Sequence, residues 1–252
     1  MGGVERHTAR IGPHGSLRVD GWCSAASAGW LSRVRAFDLL GKTSSPLRVL
    51  CLGAHSDDIE IGCGGLILQL LSNRPVDVDW VVFSAIGRRA QEARRGAALF
   101  LRKARSRRVV LKEFRDGFFP HDGVAIKEAF EELKSGPPPD LVMTHYRDDR
   151  HQDHRVLSDL AWNTFRDHLV LEYEIPKYDG DLGSPNCFVP LDRRTCEQKV
   201  RYLQKAFGSQ RDKHWFGSET FMGLMRLRGM ECRASGGYAE AFYARKVLFR
   251  IG

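Results

Sequence analysis

The sequence predicts an α/β protein, a Rossmann-like three-layer sandwich in which helices cover both faces of a mostly parallel central sheet. Two observations carry that reading. From Leu47 onward, short apolar runs alternate with longer amphipathic stretches, the pattern of βαβ units. The 252-residue length also suits one large α/β domain better than two small ones, because a sheet covered on both faces needs about this much chain.

Residues 1–46 are rich in Gly, Ser and Ala and close on Ser44, Ser45 and Pro46, so they read as a partly disordered N-terminal extension feeding a domain at 47–252. Within the extension, Trp30, Val34, Phe37 and Leu40 fall at helical spacing and predict a short helix over 30–40. Strands are expected at 48–53, 78–83, 108–111, 141–144 and 170–173. Helices are expected between them at 64–71, 91–103, 124–133 and 153–165. Gly136 and the three prolines after it make a firm break before the strand at 141. Beyond Tyr173 the alternation loosens into a loop at 176–190 holding a short strand at 187–189. A helix at 193–207 and a strand at 241–249 then close the domain.

Composition narrows the function. No apolar run approaches the roughly 18 residues a membrane span requires, and Glu5, Arg6, His7 and Arg10 occupy the place of a secretory signal, so a cytoplasmic protein is expected. The six cysteines include no CxxC pair, which argues against a cysteine metal site and against a disulfide framework. The net charge of +8 is concentrated: Arg88 to Arg115 holds eleven basic and two acidic residues. A solvated helix face and loop is the plain reading of such a run, and attraction of an anionic substrate is the sharper one. Nucleic acid is not the expected partner, because interleaved aromatics and a recognised nucleic-acid module are missing. A homo-oligomer is left open.

Two clusters bear chemistry. The segment 50–65 reads LCLGAHSDDIEIGCGG and sets His55, Asp57 and Asp58 just after a strand, at the rim where an α/β site belongs. The segment 145–154 reads HYRDDRHQDH and also follows a strand, so the two can meet at one sheet edge. Zinc favours imidazole and carboxylate ligands, and a catalytic site keeps three of them plus an exchangeable water; His55, Asp58 and His154 supply that set. Asp57 stands ready to take a proton, His151 to give one to a leaving amine, and Asp153 to orient a histidine. His145 reads as a packed or supporting residue with no ligand role, and Asp148 and Asp149 as caps of the following turn.

The pair AHSDD at 54–58 and HQDH at 151–154 resembles the AHPDD and HxDH motifs of the LmbE/PIG-L family of zinc-dependent N-acetylglucosamine deacetylases. The resemblance, which extends from about residue 47 to 249, implies ligation of zinc by His55, Asp58 and His154, with iron(II) able to use the same ligands. It implies Asp57 as general base, and His151 as acid or oxyanion partner supported by Asp153. Asp116 resembles an aspartate that contacts the sugar, and Arg94, or its neighbour Arg95, a substrate arginine. The implied substrate is a small N-acetylated amino sugar or its conjugate, and the implied reaction hydrolysis of its acetamide. Ser56 replaces the usual proline without removing a ligand. Two other readings stand beside this one. His55, Asp57 and His154 also spell the two-histidine, one-carboxylate triad of iron(II) oxygenases, and a sugar-binding protein with an inactive remnant site would keep the same residues.

Overall fold

The computed structural model describes residues 45–248; the expected helix over 30–40, Cys23 and nearly all of the predicted extension lie outside them. In chain order the elements are β1 (Leu47–His55), α1 (Asp58–Asn73), β2 (Val76–Ser84), α2 (Gly87–Phe100), β3 (Ser106–Leu111), α3 (Gly123–Lys134) and β4 (Leu141–His145). They continue with α4 (Gln152–Thr164), β5 (Leu169–Tyr173), β6 (Cys187–Leu191), α5 (Arg193–Ala206), α6 (Ser218–Glu231) and β7 (Tyr238–Ala244). The strands form one sheet in the order β3-β2-β1-β4-β5-β7-β6. β1 to β5 run parallel, and β7 runs antiparallel to its neighbours β5 and β6.

The mostly parallel sheet expected from sequence is therefore present, and the first six strands fall within two residues of their expected bounds. β1, β2, β4 and β5 are mostly buried, which leaves little freedom in placing them, whereas β3 and β6 are largely exposed or half-buried. On one face α3 and α4 close a core around Leu52, Phe83, Phe119, Phe130, Leu157 and Phe165. On the other, α5 packs against α1 and α2. No helix of the described residues is long and apolar enough to cross a membrane. Cys51, Cys63 and Cys196 are buried free thiols, while Cys187 and Cys232 are half-buried.

Four elements differ from expectation, among them α2, which runs Gly87–Phe100 rather than 91–103. The last strand begins at Tyr238 rather than 241 and ends at Ala244. α6 was not foreseen. Its inward positions Phe221, Met225, Arg228 and Gly229 have helical spacing, but a charged residue and a glycine interrupt the apolar stripe. Arg228 is buried because Glu174 and Glu231 pair with it. Gly229 is required by close approach to the neighbouring turn, since a Cβ there would lie 2.4 Å from the Gly237 carbonyl.

α1 begins at Asp58, not at 64, so the glycines at 62, 64 and 65 are not a turn into the helix but part of it. They allow close packing: a Cβ on Gly62 would sit 2.1 Å from the Tyr173 ring. The helix is broken at Cys63, whose φ of −138° and ψ of 15° are not helical. The freed N–H groups of Gly65 and Leu66 donate to the Glu240 carboxylate of β7 at 2.7 and 2.6 Å. On the other side of the break, Lys199 of α5 donates to the Ile61 carbonyl and to Glu240, both at 2.6 Å. A buried ion pair thus satisfies backbone groups that the break would otherwise leave without partners.

Candidate metal centre

The strand order reverses between β1 and β4, and in sheets of this kind ligands bind in the crevice beyond the carboxyl ends of such strands. β1 ends on His55 and β4 on His145. Asp57 is the N-cap residue of α1 and Asp58 its first residue. His151 is the N-cap residue of α4, which carries Asp153 and His154 in its first turn. Two strand ends and two helix starts therefore bring the separated clusters to one place.

There His55 Nδ1 lies 3.2 Å from His154 Nε2 and 3.3 Å from Asp58 Oδ2, and the last two atoms are 3.6 Å apart. The outward-facing nitrogens fix the tautomers. His55 Nε2 faces the carboxylates of Asp116 at 3.1 Å and Asp153 at 3.2 Å, so it carries a proton, and Nδ1 is the nitrogen turned toward Asp58 and His154. His154 Nδ1 donates to Asp149 Oδ2 at 2.9 Å, which leaves Nε2 as the free lone pair. Burial, reinforced by His145, pushes the His154 pKa down to about 3, so the ring is neutral and ready to ligate. Burial works to raise the Asp58 pKa, but the surrounding His154, His145 and His55 overcome it and hold the carboxylate ionised.

Three potential ligand atoms, two imidazole nitrogens and one carboxylate oxygen, thus face one point. The geometry suits a divalent metal, because tetrahedral ligands at about 2.0–2.1 Å from an ion are roughly 3.3 Å from one another. The pKa of His55 speaks to the same need. Burial lowers it, yet Asp58, Asp116 and Asp153 raise it well above the ordinary imidazole range, so the cluster draws positive charge to itself. Asp58, not Asp57, lies beside both histidines, so the set of His55, Asp57 and His154 that the oxygenase reading needs is not brought together.

Asp57 points elsewhere. Its Oδ1 accepts from Arg89 at 2.5 Å, and its Oδ2 is buried with no hydrogen-bond partner. Burial raises its pKa while Arg89 pulls it back, leaving it above the ordinary aspartate value. Asp153 does not support His151 as expected from sequence: its carboxylate holds His55 Nε2 and accepts the Gly117 and Phe119 N–H groups at 2.7 and 3.1 Å. Only its backbone N–H reaches His151 Nδ1, at 3.3 Å. That contact makes Nδ1 an acceptor and leaves the His151 Nε2–H as a donor. Burial, with the neighbouring His55, lowers the His151 pKa, so the ring is neutral.

The centre opens into a cleft of 540 Å³ lined by His55, Asp57, Asp58, His151 and His154 and walled by Arg89, Arg115, Asp116, Ile175, Lys177, Tyr178, Lys213 and Trp215, among others. Arg94 is exposed on α2 and does not line it; Arg89 is the α2 arginine that does. Of the basic run, Arg89 and Arg115 reach the cleft, whereas Arg105 and Arg108 pair with Asp77 and Asp79 at the opposite edge of the sheet. His145 packs behind the centre, stacked on His154 with ring centroids 3.9 Å apart and accepting the Ala54 N–H at 2.9 Å. Asp149, expected as a turn cap, does cap the His151 N–H at 2.8 Å, but its other oxygen holds His154.

The family model described as GlcNAc-PI de-N-acetylase, PIG-L, matches residues 50–165. A search of curated proteins returned no match. Among solved structures the chain resembles the conserved protein TT1542 from Thermus thermophilus, with a TM-score of 0.63 at 20% identity over 81% of this chain and 98% of that one. It resembles N,N′-diacetylchitobiose deacetylase from Pyrococcus horikoshii, with a TM-score of 0.58 at 20% identity over 77% and 82% of the two chains. It also resembles GalB, the 4-carboxy-2-hydroxymuconate hydratase from Pseudomonas putida, with a TM-score of 0.59 at 16% identity over 82% and 100%. At these identities the likenesses establish the fold, on which function depends only through the site. The match over residues 50–165 takes in both sequence clusters and every residue of the candidate metal centre, so over that stretch the chain is similar to the PIG-L (LmbE-like) family.

Proposed function

We propose that this protein is a zinc-dependent N-deacetylase that hydrolyses the acetamide of an N-acetylglucosamine-like sugar or sugar conjugate. The observation that carries the reading is the trio of His55 Nδ1, Asp58 Oδ2 and His154 Nε2, which face one point mutually 3.2–3.6 Å apart. A divalent cation held there supplies Lewis acidity toward the acetyl carbonyl and a nucleophilic water at neutral pH.

The rest falls to the chain. Asp57 takes the proton of the attacking water on its unengaged Oδ2, while Arg89 fixes the carboxylate through Oδ1. Its raised pKa makes it a stronger base than an exposed aspartate. The Nε2–H of neutral His151 donates to the oxygen on which negative charge develops. As the C–N bond breaks, the proton held by Asp57 passes to the leaving amine, giving acetate and the free amino sugar. Asp116 lies at the mouth, its side chain 74% exposed, where it meets sugar hydroxyls. Arg115 and Lys213 line the cleft with aromatic neighbours, Phe118 and Trp215, and among the described residues neither is in an ion pair with a carboxylate. They favour a substrate with an anionic group remote from the acetamide.

The deciding experiment is acetate and free-amine detection from zinc-loaded protein across N-acetylglucosamine, its phosphates and its acidic glycosides. Release that a chelator abolishes and zinc restores is expected. Tight sugar binding without acetate release would instead favour a binding protein. Hydration of an unsaturated acid, the activity named for one structural neighbour, would move the reading to a lyase.

A further inference from the structure

The segment after β5 has two roles. Ile175, Tyr178 and Asp179 line the cleft, and between them Lys177 turns inward until its side chain is only 10% exposed. Its Nζ donates to Asp149 Oδ2 at 2.9 Å and to Asp181 Oδ2 at 2.5 Å. Asp149 Oδ2 is the oxygen that holds His154 Nδ1, and Asp149 Oδ1 accepts the His151 N–H. Asp181 Oδ2 in turn accepts the Arg150 N–H at 2.7 Å. One ammonium therefore links the cleft wall to the turn that presents both histidines.

The wall is itself fixed at its far end. Gly183 lies against the stacked Tyr146 and Tyr243 rings, where a Cβ would fall 2.4 Å from the Tyr243 hydroxyl, and its carbonyl accepts from Arg228 at 3.0 Å. Asp149 is 2% exposed, so without Lys177 its charge would have lost its one lysine partner in a place water reaches poorly.

We infer that Lys177 is a positioning residue of the metal centre: it holds Asp149 against His154 and His151, and so ties the wall that meets substrate to the ligand that meets the cation. The inference rests on the proposed metal-dependent function. Groups that orient a ligating histidine change metal affinity by about 10–100-fold when removed.

The test is zinc affinity by competition with a chromophoric chelator, with the imidazole ¹⁵N spectrum of the metal-free protein read alongside. Lys177→Met is expected to weaken zinc by about 10–100-fold and to lose the single Nδ1–H tautomer of His154. Lys177→Arg, which keeps charge and donors, should recover most of the affinity. If Lys177→Met does not fold, Lys177→Gln takes its place in the comparison. Wild-type zinc affinity and an unchanged His154 spectrum in the folded variant would overturn the role of Lys177 alone. Absence of zinc binding by the unaltered protein would overturn the metal-centre reading, and this inference with it.

Discussion

Asp57 and Asp58 are neighbours in the chain with opposite surroundings. Three imidazoles keep Asp58 ionised, whereas burial against a single arginine lifts the pKa of Asp57. Carboxylates whose environments push their pKa values apart take different tasks, here ligand and base. Asp57→Asn should leave zinc affinity within a few-fold and lower kcat by about 10²–10⁴; Asp58→Asn should lose the metal. Zinc titration and acetate release on the same preparations check both. His55, Asp58 and His154 were legible because two histidine-aspartate clusters each follow an apolar run. Arg89 was not singled out, and Asp149 was read only as a turn cap. Arg89 is one of eleven basic residues in its segment, and nothing in the sequence distinguishes the one that turns toward Asp57. Asp149 lies five residues before His154 across a turn, a spacing that no helical or strand period brings together.

Strands were easier to place than helices, because their apolar runs are bounded on both sides by polar residues. α6 escaped because its buried face includes Arg228 and Gly229, each admitted by a tertiary partner invisible along the chain. The start of α1 escaped because its first turn, Asp58-Ile59-Glu60-Ile61, alternates acidic and apolar residues instead of showing a helical stripe, and three glycines follow. α5 shows a legible boundary: Asp192 caps it, accepting the Thr195 N–H at 2.6 Å. Asp192→Ala should cost about 1 kcal/mol at neutral pH, measured by urea denaturation. The Thr195 hydrogen bonds hold the Asp192 pKa below the ordinary aspartate value. The cap therefore contributes fully above about pH 4 and fades as pH falls through the depressed folded-state value. Wild type and variant should converge in acid.

At the scale of the molecule, the sequence conveyed the layer architecture and the side of the sheet that holds the site, since both follow from alternation and from which strand ends carry polar residues. It did not convey the far wall of the cleft. Lys213 and Trp215 belong to an irregular stretch between α5 and α6, placed by the packing of Phe207 and Phe216 rather than by any period.

The broken helix behind the site has a further meaning. Every atom that would touch the cation comes from the first two thirds of the chain, yet the helix bearing Asp58 is clamped by Lys199 and Glu240, contributed long after the family-matched stretch ends. An excised piece spanning 45–165 would own a full complement of ligands and lack the brace that keeps one of them in register. Such a piece should be a poor zinc binder, and adding back the remainder as a separate polypeptide should restore affinity in proportion to reassembly, which calorimetry on the mixed halves would detect.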